Sequence, residues 1–273
     1  MQIGCSTILY GGYPLDVALD GIRRAGYAAI ELCAIPGMAD HLSADADPAY
    51  YRDVRQRVAD QGLAIESVGA STNLLDPDRR ARFVRLIRAA ALLGAPAITT
   101  GSGGVSDDEQ SFRTVVETVN GLARIAASEG VKLSIKPHVR AAVYSTPTAL
   151  RFMNEVDGAW VGLNYDASHL WRANETPEES LERLAPYLAT ARIRDAVSRE
   201  PGGPGPVDQQ IPGNGAMNLP AITRGLAAIP HLQYTVLEIV GAKELPLERV
   251  QAIVQTSSDR LRALFAGTIA PSA

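Results

Sequence analysis

No stretch of this chain approaches the roughly 20 consecutive apolar residues that a membrane-spanning helix needs, so no membrane partner is expected. The opening segment, "MQIGCSTILY", lacks the basic start and long apolar core of a secretory signal, and a cytoplasmic location follows as the expectation. Cysteine is scarce. Only Cys5 and Cys33 occur, each inside an apolar strand-like run, which fits buried, unreactive thiols in a reducing compartment. Charge of one sign never accumulates either. The 26 Lys and Arg and 30 Asp and Glu residues are interspersed, leaving a formal net charge of −4 and no basic surface for nucleic acid. A G-x-G-x-x-G fingerprint is also missing; "GSGG" at 101–104 follows a fourth strand-like run and reads as a glycine-rich turn.

What is present is a regular alternation. Eight short apolar or β-branched runs, "QIGCS", "AAIELCA", "AIESVGA", "AITTGSG", "KLSIKPH", "WVGLNYDASH", "TARIRDA" and "YTVLEIVG", close at Gly, Pro or polar residues. Between them lie amphipathic stretches such as "DPDRRARFVRLIRAAALLG" and "DDEQSFRTVVETVNGLARIAASEG", which open at Asp and end at Gly, the start and stop signals of helices. A last helix is expected through "LPLERVQAIVQTSSDRLRALF", with the tail "GTIAPSA" loose. Each strand in such a series must return by a crossover helix, which demands a parallel sheet. Eight repeats in 273 residues, 46% of them hydrophobic and with no linker to split them, predict a single (β/α)8 TIM barrel over 1–273. A doubly wound open sheet is the alternative. The segment "VSREPGGPGPVDQQIPGNGAMN", 197–218, is too long and polar for an ordinary connection and is expected to move or to fold over the barrel mouth.

In a barrel the C-terminal strand ends carry the chemistry. The second run offers Glu31, the fifth Lys136 and His138, the sixth Asn164, Asp166 and His169, the seventh Arg192, Arg194 and Asp195, the eighth Glu238. Side chains alternate faces along a strand, so Lys136 pairs with His138, Asn164 with Asp166, and Arg192 with Arg194, while Asp195 points toward the helix layer. Cations and carboxylates then converge on one mouth. Such a set either plugs the barrel as satisfied ion pairs or forms a functional site, and two histidines under a long loop favour the site.

Four of these segments carry a resemblance. "GLNYDASHL" resembles the G-L-N-x-D-x-x-H motif of the sugar phosphate isomerase/epimerase family, the xylose isomerase-like barrels that also include inosose dehydratases, ketose 3-epimerases and endonuclease IV. "ARIRDA" is similar to that family's H-x-K-D, "IPGNGAMNL" to the following G-x-G segment, and "YTVLEIVG" to its eighth-strand glutamate, in the right order over nearly the whole chain. The resemblance implies one divalent metal held by a fifth-strand Glu, a sixth-strand Asp, a seventh-strand His and an eighth-strand Glu. By position, Asp166 and Glu238 remain as residual ligands, but Lys136 and Arg192 stand where the other two belong. Lysine ligates only when deprotonated and arginine effectively never does. Lys136 is therefore expected to replace part of the metal charge with an ion pair, leaving a site with no metal and no other cofactor.

The chemistry implied by the resemblance is proton transfer next to a carbonyl of a small polyhydroxylated compound, by an isomerase, epimerase or dehydratase. Glu238 is the expected base, Lys136 and Arg192 the stabilisers of the enolate oxygen, and His138 and His169 the proton shuttles. Glu31, Asn164, Asp166 and Arg194 are expected to touch substrate. The cations favour a substrate bearing a carboxylate or phosphate. A Schiff base at Lys136 is opposed by the nearby carboxylates, which favour the charged amine. Two other readings stay open: a non-catalytic barrel binding a sugar-like ligand or a partner, and a metal enzyme holding one Mn, Mg or Zn ion through His169 or His138. Nuclease activity is not expected, for want of several metal sites, and homo-oligomer formation is left open.

Overall fold

The computed structural model describes residues 1–200 and 202–267; the expected loose tail lies outside these from 268 onward. Eight parallel strands form the sheet: β1 Gln2–Ser6, β2 Ala29–Ile35, β3 Ala64–Gly69, β4 Ala97–Gly101, β5 Lys132–Lys136, β6 Val161–Asp166, β7 Leu188–Ile193 and β8 Tyr234–Leu237. Consecutive strands pair, and β1 pairs with both β2 and β8, so the sheet closes into a barrel. The open-sheet alternative is thereby excluded. A two-residue strand, Ala39–Asp40, folds back antiparallel on the end of β2.

Ten helices accompany the described strands: α1 Leu15–Arg24, α2 Pro48–Asp60, α3 Pro77–Leu93, α4 Glu109–Glu129, α5 Thr146–Glu155, α6 Ala167–Arg172, α7 Pro177–Leu184, α8 Val207–Gln210, α9 Leu219–Ala227 and α10 Leu247–Phe265. Local chemistry sets their ends. Asp76 accepts the Arg79 amide at 3.0 Å at the start of α3, and Asp108 accepts that of Ser111 at 2.6 Å at the start of α4. Gly94 and Gly130 close these helices in the left-handed conformation, at φ 71° and 69°, where a side chain would be strained. Apolar side chains from strands and helices fill the space between the two layers, including Leu19, Ile30, Leu86, Leu133 and Phe152.

One element departs from the sequence reading. The sixth run does not continue as a strand to His169: Asp166 ends β6 and accepts the Ser168 amide at 3.1 Å, so 167–172 turns into α6. His169 therefore reaches the mouth from a helix, where strand parity has no meaning. The barrel interior is polar in its upper half. Ser134 and Thr190 share a hydrogen bond of 2.7 Å across the interior, and above them the charged side chains begin.

Candidate active site at the barrel mouth

Two tiers of charge fill the C-terminal end of the barrel. The lower tier is centred on Arg192, whose side chain is fully buried. Its Nε and Nη2 donate to Glu31 Oε1 at 3.2 and 2.7 Å, Nη2 also to Ser67 Oγ at 2.9 Å, and Nη1 to Glu66 Oε1 at 3.2 Å and the Ala191 carbonyl at 3.1 Å. Those five bonds use all five guanidinium donors. Glu31 is further fixed by the hydroxyls of Ser6, at 2.7 Å, and Thr99, at 2.8 Å. Burial alone would raise its carboxyl, but Arg192 and Lys136 more than offset that and hold it below the ordinary glutamate value. Glu66 has weaker support: burial raises it, and Arg192 and Ser67 compensate only in part.

The upper tier contains Lys136. Its Nζ donates to Glu238 Oε2 at 2.6 Å and to Asp166 Oδ2 at 3.1 Å, so one ammonium sits between two carboxylates. Arg194 adds a donor to Asp166 Oδ2 at 3.3 Å, and Ser168 donates to Oδ1 at 2.7 Å. Against its burial, Arg194 and Lys136 hold Asp166 well below the usual aspartate value. His169 Nε2 lies 3.1 Å from Arg194 Nη2 and 3.7 Å from Asp166. Burial pushes this imidazole well below its usual value, leaving it neutral at physiological pH. The His138 ring leans on it at 4.0 Å between centroids and faces the opening.

A cavity of about 350 Å³ opens above these groups, lined among others by Glu31, Lys136, His138, Asn164, His169, Arg194 and Glu238. One wall is apolar, made by Ile8, Ile35, Met38 and Val240. Gly202, Gly203 and Pro204 of the long segment border the opening, with Pro201 outside the described residues. Part of that segment packs as core despite its composition. Gln210, fully buried, donates to the carbonyls of Gly205 and Val240 and accepts the Val240 amide, with Ile211 and Met217 buried beside it. Asp195 is turned off the cavity, as its parity required, and binds the amides of Gly213 and Met217.

Two expected substrate-facing residues do not face the cavity. Arg192 lies beneath it with no donor free for an enolate, because a long side chain leaning down reaches the carboxylates of β2 and β3 first. Asp166 is covered by the Lys136 and Arg194 side chains that bind it, so it fixes them and does not touch a ligand. Three residues escaped the sequence reading: Glu66, Arg140 and Arg172. Glu66 carried the same signal as Glu31, a carboxylate inside an apolar strand, and both arginines border the cavity. The donor set does not fit the family's metal. Among the described residues no group of three or more His, Cys, Asp or Glu side chains could hold an ion, and the space between Asp166 and Glu238 contains an ammonium nitrogen. The substitute ligands do not repair this: His169 is engaged by Arg194, and His138, even with its Nε2 free, adds one donor to a space already occupied by an ammonium group.

A family model described as xylose isomerase-like TIM barrel matches residues 19–264. Inosose dehydratase of Klebsiella pneumoniae (strain 342) is 26% identical over 122 residues, which are 45% of this chain and 39% of that protein, so the match spans well under half of the curated relative. The solved structure of IolI protein with a bound zinc atom superposes with a TM-score of 0.78 at 18% identity, covering 97% of this chain and 99% of that one. D-Psicose 3-epimerase from Clostridium cellulolyticum H10, solved with D-tagatose, gives 0.77 at 16% identity, covering 97% and 99%. Identities this low carry the fold. Among the described residues no helix is long and apolar enough to cross a membrane.

Proposed function

The chain belongs to the xylose isomerase-like TIM barrel family, and on that premise we propose that it is a sugar-modifying enzyme that moves a proton next to a carbonyl without a metal ion. One observation carries the reading: the Lys136 ammonium bridges Asp166 and Glu238 at the cavity floor. Dehydration of an inosose and epimerisation of a ketose both begin by removing a proton beside a carbonyl, and relatives of this chain bear the names of both reactions. The oxygen of that carbonyl then gains negative charge.

Glu238 has a carboxylate open to the cavity and takes the proton. Lys136 donates a hydrogen bond to the developing enolate oxygen, the task a divalent ion would otherwise perform. Arg192 acts from below: its Nε lies 3.7 Å from Glu238 Oε2 and supports that carboxylate from the buried side. His169 stays neutral and accepts from Arg194, while His138 stands at the opening, where it exchanges protons with solvent. Asn164, Glu31 and Arg194 orient the substrate's hydroxyl groups. The reading assigns a cytoplasmic enzyme with a small carbonyl compound as its substrate and no nucleic-acid or membrane partner.

The test is solvent deuterium exchange followed by proton NMR, with inosose, D-psicose and D-tagatose as trial substrates in the presence of a strong chelator. Exchange at the carbon beside the carbonyl is expected to survive the chelator and to vanish in Glu238→Gln. Exchange that stops on chelation and returns with Mn²⁺ refutes the metal-free mechanism.

A further inference from the structure

Two cations at the mouth, Arg140 and Arg172, take no part in the tiers described above. Neither has a carboxylate within 4.0 Å among the described residues, although both line the cavity. Arg172 is buried and reaches in from the end of α6. Its Nε donates to the Ser168 carbonyl at 3.2 Å. Its Nη2 lies 3.1 Å from Nδ1 and 3.4 Å from Nε2 of His169. The two ring nitrogens point their lone-pair directions apart, so one atom this near to both cannot be in line with both. Moreover, a neutral imidazole has one acceptor nitrogen, and Nε2 already faces Arg194 Nη2 at 3.1 Å. Among the described residues, the terminal donors of Arg172 therefore have only the ring of His169 to turn to, and they share it with Arg194. Burial, Arg194 and Arg140 all act against its charge, with Asp166 opposing them.

Arg140 is held beside it at a cost. Its backbone is left-handed, at φ 70°, a conformation that disfavours any residue with a side chain. The turn is fixed by the Ala141 amide on the His138 carbonyl at 2.9 Å and by the Ser106 amide on the Arg140 carbonyl at 3.3 Å. A strained turn thus presents an unpaired guanidinium to the opening. Deeper in the same cavity lies a complementary vacancy in hydrogen bonding: Asn164, 1% exposed, has its Oδ1 buried with no donor. Most buried acceptors are paired, and this one faces a cavity that a ligand can enter.

We propose that Arg140 and Arg172 form a subsite for an oxyanion of the substrate, a carboxylate or a phosphate, while Asn164 accepts a hydrogen bond from one of its hydroxyl groups. The assignment rests on the proton-transfer reading for the position of the reacting carbon, between the oxyanion and the Glu238–Lys136 pair. The substrate class is then a hydroxylated keto acid or a phosphorylated ketose, and a neutral sugar leaves the two cations unmatched.

Calorimetric titration of the whole protein at low ionic strength tests this with three probes: inorganic phosphate, D-glycerate and neutral glycerol. Phosphate or glycerate is expected to bind and glycerol not to. Binding of phosphate alone assigns a phosphate group, and binding of glycerate alone a carboxylate. Removing one charge-assisted donor set weakens an anion by about tenfold to a hundredfold, so Arg140→Gln and Arg172→Gln are each expected to raise Kd by that factor. Arg140 is exposed, so Arg140→Gln serves even if the buried arginine proves necessary for folding. Failure of both anions to bind, or equal binding by Arg140→Gln, overturns the subsite. Deuterium exchange into a neutral ketose with no anion binding overturns it while leaving the reaction intact. Arginine-dependent anion binding without exchange into any carbonyl compound supports the subsite and sinks the reaction.

Discussion

Substituting Lys136 by Met removes the charge that bridges Asp166 and Glu238 while keeping most of the side chain's length. Breaking a buried ion pair by removing one partner costs about 3–5 kcal/mol when nothing else compensates. Here the loss is smaller. Lys136 and Glu238 side chains are 11% and 13% exposed, Asp166 keeps Arg194 at 3.3 Å, and Glu238 keeps Arg192 at 3.7 Å. A cost of about 2–3 kcal/mol follows, which for a chain of this size lowers Tm by about 4–6 °C. The pH dependence identifies the cause. Without the ammonium, Asp166 and Glu238 lie within two hydrogen-bond lengths of each other, and one of them takes up a proton that the unfolded chain does not hold. A carboxyl raised in the folded state loses stability as pH climbs from its unfolded value through the folded one. In the parent, Asp166 is depressed, and its contribution is present above the ordinary aspartate value and lost as pH falls through the folded one. The gap between parent and variant therefore widens from about pH 4 upward, by about 1.4 kcal/mol for each unit the shared carboxyl is raised. Urea melts at pH 4, 5 and 8 measure it. An equal cost at all three pH values refutes the idea that Lys136 offsets this pair.

Glu66→Gln keeps the acceptor for Arg192 and removes a carboxylate that burial disfavours, so it is expected to stabilise the protein at pH 8 and to make no difference at pH 4, by the same melts. His169 lies well below its usual value, so the unfolded chain gains a proton that the folded chain refuses as pH drops below about 6.5. Parent stability should decline on that side, and His169→Gln should flatten the slope. Gly69→Ala places a methyl carbon 2.8 Å from the Glu31 carboxyl carbon and displaces it from Arg192; a loss of about 1–3 kcal/mol in denaturant melts is expected.

The barrel was legible because its punctuation is local. Asp76, Asp108, Gly94 and Gly130 mark helix ends within a turn or two, and each predicted run overlaps the strand found there. Strand β2 extends one residue beyond its run, and β7 starts two residues before its run. Lys136, Asp166 and Glu238 were legible as a group because each sits at a strand end, where parity and order suffice. Arg192 was misread because parity gives the face of a strand and not the depth to which a long side chain leans. Glu66 was hidden by a bulge. Between β2 and β3 the register runs from Ile30 opposite Ile65 to Glu31 opposite Ser67, so residue 66 is the extra one and its alternation is broken. Arg172 was missed for a third reason: Asp166 caps a helix where the apolar run suggested more strand.

Arg192 also has a bearing on the order in which the molecule assembles. Its bonds to Glu31 and Glu66 join residues 161 and 126 positions apart. The first half of the barrel supplies the carboxylates and the second half the guanidinium. Before the halves meet, each set of charges stays hydrated, and drying either one alone costs more than the apolar contacts beside it return. One-sided drying of the barrel interior is therefore disfavoured. These ion pairs are long-range contacts, so much chain entropy must be lost before they can form.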